Sequence, residues 1–204
     1  MLYIANPCGG DEVKAAMSER RLGFIDTPLQ GNRRPHGVIW CADNGCFSKG
    51  YPGDAAWLSW LKKNAADAST CLFATAPDVV GDAAATLLRS RPHLTAIREL
   101  GYPAALVAQD GLENLTVPWD EFDVLFIGGS TEWKLGQAAR LLVREAKARG
   151  KHVHMGRVNS ARRWRYAEHI GCDSVDGTYL TFGPRENLPR LLSWTAESLF
   201  GGAA

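Results

Sequence analysis

VLFIGGSTEWKLGQAARLLVREAKARGKHVHM, residues 124–155, holds two hydrophobic periods side by side. Val124–Ile127 is an apolar run too short for a helix, closed by Gly128-Gly129. Apolar positions then recur at helical spacing: Leu135, Ala138, Leu142 and Ala146 share one face, basic residues fill the last turn, and Gly150 suits the stop. A second short run, His152–Met155, follows at once. Strand, helix, strand is the unit of a parallel sheet, because parallel neighbours need a crossover to return the chain to the same end.

The alternation continues outward in both directions. Candidate strands are Leu2–Ala5, Gly23–Asp26, Val38–Cys41, Cys71–Thr75, Ala104–Ala108, Val124–Ile127, His152–Met155 and Ser174–Val175. Candidate helices are Asp11–Arg21, Asp54–Ala66, Asp82–Leu100, Lys134–Arg149, Ala161–Ile170 and Leu188–Phe200. Asp54 and Ser160 suit N-caps, and Pro92 is expected to bend or divide its segment before Gly101 ends it. Eight strands favour an α/β fold of the (β/α)8 TIM-like type over an open doubly wound sheet. The expected organisation is one barrel domain over 1–204, small or trimmed, because 204 residues lie near the lower limit for that architecture. No internal repeat or linker interrupts it, and only the tail GGAA reads as loose.

Composition bounds the chemistry. Hydrophobic residues make up 46% and charged residues 22%, ordinary for a globular domain. A net charge of +1 excludes binding nucleic acid by bulk attraction, so such a role needs a local patch. Arg33-Arg34 and the stretch GRVNSARRWRY, residues 156–166, offer two. No apolar run reaches the length of a membrane span and the start lacks a signal-peptide pattern, so a cytoplasmic location without a membrane partner is expected. Cys8, Cys41, Cys46, Cys71 and Cys172 form neither CxxC pairs nor a disulfide framework and are expected to be buried free thiols.

In parallel α/β folds the chemistry gathers beyond the C-terminal ends of the strands. Six consecutive strand ends here lead into ADNG, APDVVGD, QDG, GGST, GRVNS and DGTY. Each has a plain structural explanation. Asp43 with Asn44-Gly45 makes a turn, Asp82 a helix cap, and Gly128-Gly129 relief of crowding. Their joint placement is the functional signal. No phosphate loop, GxGxxG, HExxH or GxSxG is present, so carboxylate chemistry, nucleophilic or acid–base, is the expected class.

The succession of these segments resembles the tRNA-guanine transglycosylase superfamily. It is closest to the short DNA 7-deazaguanine transglycosylases (DpdA-like) of phages and bacterial islands, over roughly residues 38–180. CADNGCFS is similar to the family's Asp-Ser-Gly-Gly-Phe segment, implying Asp43 as general acid/base with Phe47 as the aromatic. APDVVGD implies Asp78 as reader of the purine edge, LVAQDG implies Gln109 as a base ligand, and FIGG implies Gly128 and Gly129 against the base. HMGR implies Met155 and Gly156 as its cover. GCDSVDGTYL resembles the nucleophile strand, with register favouring Asp176 over Asp173. The resemblance further implies exchange of guanine in DNA for a free 7-deazaguanine base, with 7-cyano-7-deazaguanine as the expected one. Helper proteins that unwind the duplex are partners this reading allows. Arg157, Arg162, Arg163 and Arg165 would hold phosphates, while Phe47, Trp133 and Trp164 would stack on splayed bases. The Cys-rich zinc site of the family's tRNA enzymes has no counterpart here. No metal or other cofactor is therefore expected, and DNA is expected in place of tRNA. Rival readings are a nucleoside deoxyribosyltransferase or N-glycosidase on small nucleosides, a non-catalytic deazapurine or nucleic-acid binding module, and a sugar-phosphate barrel enzyme. The last lacks the usual glycine-rich phosphate site.

Overall fold

A computed structural model of the chain describes residues 1–6, 10–30, 33–48 and 50–200. Eight parallel strands close into a barrel in chain order: β1 (Leu2–Ala5), β2 (Leu22–Asp26), β3 (Trp40–Ala42), β4 (Cys71–Thr75), β5 (Ala104–Ala108), β6 (Val124–Ile127), β7 (His152–Met155) and β8 (Ser174–Gly177). β8 pairs back onto β1, with Ile4 opposite Asp176. The helices are α1 (Asp11–Ser18), α2 (Asp54–Lys63), α3 (Ala83–Glu99), α4 (Thr131–Leu135), α5 (Gln137–Ala148), α6 (Ala161–Ile170) and α7 (Pro184–Phe200). The helical layer is incomplete. Among the described residues the β2–β3 connection has no helix, and β5–β6 has only the 3-10 turns Leu112–Asn114 and Trp119–Glu121.

Register decides which side chains enter the barrel. Partners across parallel strands share a face, and along each strand the faces alternate. Ile4, Ile25, Cys41, Phe73, Ala105 and Val124 form one buried cluster, the barrel interior. The opposite faces, carrying Tyr3, Trp40, Leu106, Leu125, Val153 and Val175, join the larger core beneath the helices. The irregular register between β3 and β4 turns both Leu72 and Phe73 toward the interior cluster. Gly23 makes room for Ile4, whose Cδ1 would overlap a Cβ at 23. Gly177 is tighter still: a Cβ there would overlap Asn159 Oδ1 and lie 2.6 Å from both Tyr3 Oη and the Val158 carbonyl oxygen. Gly177→Ala is therefore expected to cost about 2–3 kcal/mol, read as a lower denaturation midpoint.

Several sequence expectations need correction. The third strand is Trp40–Ala42, not Val38–Cys41. The helix expected over Lys134–Arg149 is two helices, α4 and α5, parted where Gly136 takes an extended conformation (φ −84°, ψ 180°). Pro92 does not divide α3, which runs through it. The Leu88 carbonyl that loses its partner belongs to a residue 81% exposed, where water can serve it. Asp54 is not a cap: Gly53 holds that position and Asp54 lies in the first turn. Ser160 and Asp82 do cap α6 and α3, accepting from Arg163 N–H and Ala85 N–H. Cys41, Cys71 and Cys172 are buried and free, whereas Cys46 is half-buried. Cys8 and the tail GGAA lie outside the described residues. Among the described residues no helix is long and apolar enough to cross a membrane.

Candidate active site

A cavity of about 550 Å³ opens at the C-terminal end of the barrel. The inward-facing positions run straight into it. Asp43 lies two residues beyond Cys41 on the interior face, and Asp176 is two beyond Ser174 and level with Ile4. Both carboxylates line the cavity, together with Phe47, Asp78, Gln109, Gly128, Gly129, Gly156 and Arg157. Asp173 sits at the other end of β8, where it accepts from Lys147 Nζ (2.6 and 2.8 Å) and Val153 N–H (2.8 Å), away from the cavity.

Asp43 keeps an edge on the cavity but is otherwise walled in by protein. Burial pushes its carboxyl up to about 6, opposed by the Gly45 N–H that donates to Oδ1 (2.9 Å) and reinforced by the charges of Asp176 and Asp78. The Asp176 charge thus reaches the Asp43 carboxyl across the cavity. Asp176 is held from two sides: His154 Nε2 lies 2.9 Å from Oδ2, and Arg157 N–H donates to Oδ1 at 3.2 Å.

A polar wall closes one side. Asp78 Oδ2 accepts from Gln109 Nε2 (2.7 Å) and Oδ1 from Asn44 Nδ2 (3.3 Å). Burial raises the Asp78 pKa, and these amide donors oppose the rise. Gln109 Oε1 accepts from Gly81 and Gly129 N–H (3.0 and 3.1 Å), so three of its four hydrogen-bonding positions are used and one Nε2 hydrogen remains for a ligand. Asn44 is more than a turn residue: its amide also donates to the Ala76 carbonyl (2.9 Å) and accepts from Cys46 N–H (2.6 Å), tying the β3 loop to the end of β4.

Protein neighbours, apart from any ligand, demand the paired glycines. A Cβ at Gly128 would lie 2.8 Å from Val107 Cγ1, and Gly129 has φ +52° with the Trp133 ring against its missing side chain. Gly156 likewise packs on Phe126, where a Cβ would come within 2.9 Å of the ring.

The other expected residues divide. Met155 is fully buried beneath the helices, one residue out of phase with the interior, so it cannot cover a bound base; Gly156 faces the cavity instead. Trp164 is 1% exposed in the same outer core, stacked on Tyr3 and tilted against Trp194, and cannot meet a nucleic-acid base. Trp133 does not line the cavity; its indole N–H donates to Glu113 (2.8 Å). Phe47 stands exposed at the mouth with the Arg157 guanidinium 4.5 Å over its ring. That guanidinium also donates to the Gly128 and Gly129 carbonyls, and Arg157 adopts φ +63°, rare for a residue with a side chain. Arg162, Arg163 and Arg165 lie on α6 outside the cavity. Arg162 and Arg165 are exposed, while Arg163 is half-buried and donates to the Arg157 carbonyl (3.2 Å). Arg34 is committed elsewhere, paired with Asp67 (2.6 Å) and stacked on Trp40.

Three features escaped the sequence reading. His154, fully buried on β7, contacts Asp176. Lys134, read only as the start of a helix, is 2% exposed; burial and the nearby Arg157 pull its ammonium down to about 7, and Nζ donates to the Gly156 carbonyl at 2.6 Å. Exposed apolar residues collect on the strand-end loops: Leu29 after β2, Phe47 after β3, Val80 after β4 and Phe182 after β8. Among the described residues no three His, Cys, Asp or Glu side chains converge as a metal site.

No protein-family model and no curated protein matches the chain. Among solved structures it is similar to the 4-hydroxy-2-oxoglutarate aldolase/2-deydro-3-deoxyphosphogluconate aldolase from TTHB1, at 12% identity and a TM-score of 0.59, over 95% of this chain and 91% of that one. It is also similar to the Bacillus subtilis YkuI protein, with an EAL domain, in complex with substrate c-di-GMP and calcium. There the identity is 16% and the TM-score 0.50, over 83% of this chain and 44% of that one. At such identities the likeness is one of fold, and the fold it supports is the TIM-like barrel.

Proposed function

We propose that the chain is a pentosyltransferase of the guanine transglycosylase type, replacing guanine in DNA with a 7-deazaguanine such as the 7-cyano form. The observation that carries this reading is the meeting of Asp43 and Asp176 in one cavity of purine-accommodating size, with the Asp43 carboxyl raised to about 6. In the first displacement an Asp176 oxygen attacks C1′ of a deoxyguanosine. The C1′–N9 bond breaks with its electron pair on the departing guanine, which takes the Asp43 proton. In the second, the incoming base gives its N9 proton to Asp43, bonds to C1′ and returns the ester electron pair to Asp176. Two inversions retain the sugar configuration, as in retaining glycosidases. A group titrating near neutrality suits a proton that must be given and then recovered.

Asp78 and the remaining Gln109 N–H supply an acceptor and a donor for the purine edge. The target base must leave its stack, at a cost of about a few kcal/mol. Apolar Leu29, Phe47, Val80 and Phe182 around the mouth offer surfaces for its unstacked neighbours.

The test combines purified protein, labelled 7-deazaguanine base and guanine-containing DNA, single- and double-stranded, with free deoxyguanosine as a parallel substrate. Label entering the polymer with equal release of guanine is expected. Equal turnover of the free nucleoside favours the deoxyribosyltransferase reading, and base binding without release of guanine favours a binding module. No label in any DNA, from protein of verified fold, defeats the proposal.

A further inference from the structure

We infer that His154 is a positioning residue for Asp176, held in one tautomer by Ser174 and His152; its catalytic consequence rests on the reading of Asp176 as nucleophile. The four side chains face inward on the adjacent strands β7 and β8. His152 Nε2 lies 2.8 Å from Ser174 Oγ, Ser174 Oγ lies 2.8 Å from His154 Nδ1, and His154 Nε2 lies 2.9 Å from Asp176 Oδ2. Ser174 and His154 are fully buried. The His154 ring is packed against Phe73 and Phe126, with centroids 4.9 and 4.6 Å away, so it has little room to swing.

With the His154 ring neutral, as this inference takes it, counting hydrogens along the chain leaves one arrangement. An ionised carboxylate only accepts, so His154 Nε2 carries a hydrogen. A neutral imidazole then has a bare Nδ1, which takes the Ser174 hydroxyl hydrogen. That hydroxyl has no second hydrogen, so its oxygen accepts from His152 Nε2–H. Burial, the largest cause, holds His152 below its ordinary value, which keeps it neutral and limits it to one N–H. An imidazolium at 154 would reverse the two upstream bonds: its Nδ1–H would donate to Ser174 Oγ, and the hydroxyl would donate to a bare His152 Nε2. With the neutral ring all three hydrogen bonds run toward Asp176, so the tautomer of His154 reports the direction of the relay.

The Arg157 N–H on Oδ1 completes the grip, so the plane of the carboxylate is set from two directions. A neutral donor orients the carboxylate without the loss of nucleophilicity that a full positive charge beside it would bring. The His154 hydrogen stays on nitrogen throughout. It stays directed at Oδ2 while the ester exists and meets the negative charge that returns to the carboxylate when the incoming base displaces it.

Imidazole 15N NMR of the substrate-free protein at neutral pH tests the tautomer. His154 is expected with Nε2 protonated and Nδ1 bare, shifting toward a mixture in Ser174→Ala. A protonated Nδ1 in the wild type overturns the inference. The kinetic arm compares His154→Phe with His154→Gln, whose amide keeps an N–H toward Asp176. Loss of the hydrogen bond should lower kcat about 100-fold in His154→Phe with little change in KM for the base. His154→Gln should recover at least about tenfold of it, and Ser174→Ala should lose about tenfold. Equal losses in the Phe and Gln variants, or losses confined to KM, overturn the assignment. If His154→Phe does not fold, the Gln and Ser174→Ala variants decide. If the wild type performs no exchange, the proposed reaction falls while the NMR result still decides the relay.

Discussion

Asp176→Asn is expected to abolish base exchange, lowering kcat/KM by at least about 10⁴-fold, with the barrel still folded. An amide cannot supply the electron pair that forms the C1′ ester, and no second carboxylate lies on β8 within the cavity. Asp173, three residues back, is occupied by Lys147 and the Val153 N–H at the far end of the strand. Asp173→Ala should therefore lower stability by about 1–3 kcal/mol through those lost bonds, yet leave exchange per folded molecule nearly intact. An inactive Asp173→Ala beside an active Asp176→Asn would reverse the assignment. A second readout needs no substrate. The Asp176 charge helps to raise Asp43, so the Asp43 carboxyl, followed by 13C NMR, should titrate below about 6 in Asp176→Asn.

Asp43→Asn should trade activity for stability. Burial holds the native carboxyl at about 6, against 3.8 as its ordinary value. Between those values the native state binds more protons than the unfolded chain, so stability falls as pH rises through the interval and stays low above it. The shift sets an upper bound of about 3 kcal/mol, and the open edge of the cavity reduces this to about 1–2 kcal/mol. Asparagine keeps the oxygen that accepts the Gly45 N–H and removes the ionisation penalty. At pH 8 Tm should rise by about 2–6 °C, and below about pH 4 the gain should vanish. Exchange should fall about 10²–10⁴-fold with the loss of the proton carrier. In the wild type, guanine release should decline above about pH 6 as Asp43 ionises, whereas capture of the incoming base should decline below it. A destabilised Asp43→Asn at pH 8 would contradict the raised carboxyl.

Much of this architecture was legible from residue order. Short apolar runs alternating with 3.6-period segments can be satisfied only by parallel strands with crossovers. Five of the runs, Leu2–Ala5, Cys71–Thr75, Ala104–Ala108, Val124–Ile127 and His152–Met155, coincide with strands end to end. Asp43 and Asp176 could be singled out because polar residues at successive strand ends meet at one mouth whenever such strands close. The break at Gly136 was hidden, since the apolar spacing runs through a single extended residue without losing phase.

Which way a side chain points was not legible. In a barrel strand both faces are buried, so HVHM has no polar side to show whether His154 or Met155 faces inward. Ring closure decides it: Phe126 pairs with His154 and His154 with Ser174, which puts the imidazole on Asp176 and sends Met155 beneath the helices. The same holds for Trp164 on α6 and Lys134 on α4, whose neighbours come from strands and helices distant in the chain. Local order along the chain specifies periods and boundaries, because these depend on near neighbours. The facing of each side chain, and with it the hydrogen-bonded chain behind Asp176, depends on register between strands and exists only once the barrel has closed.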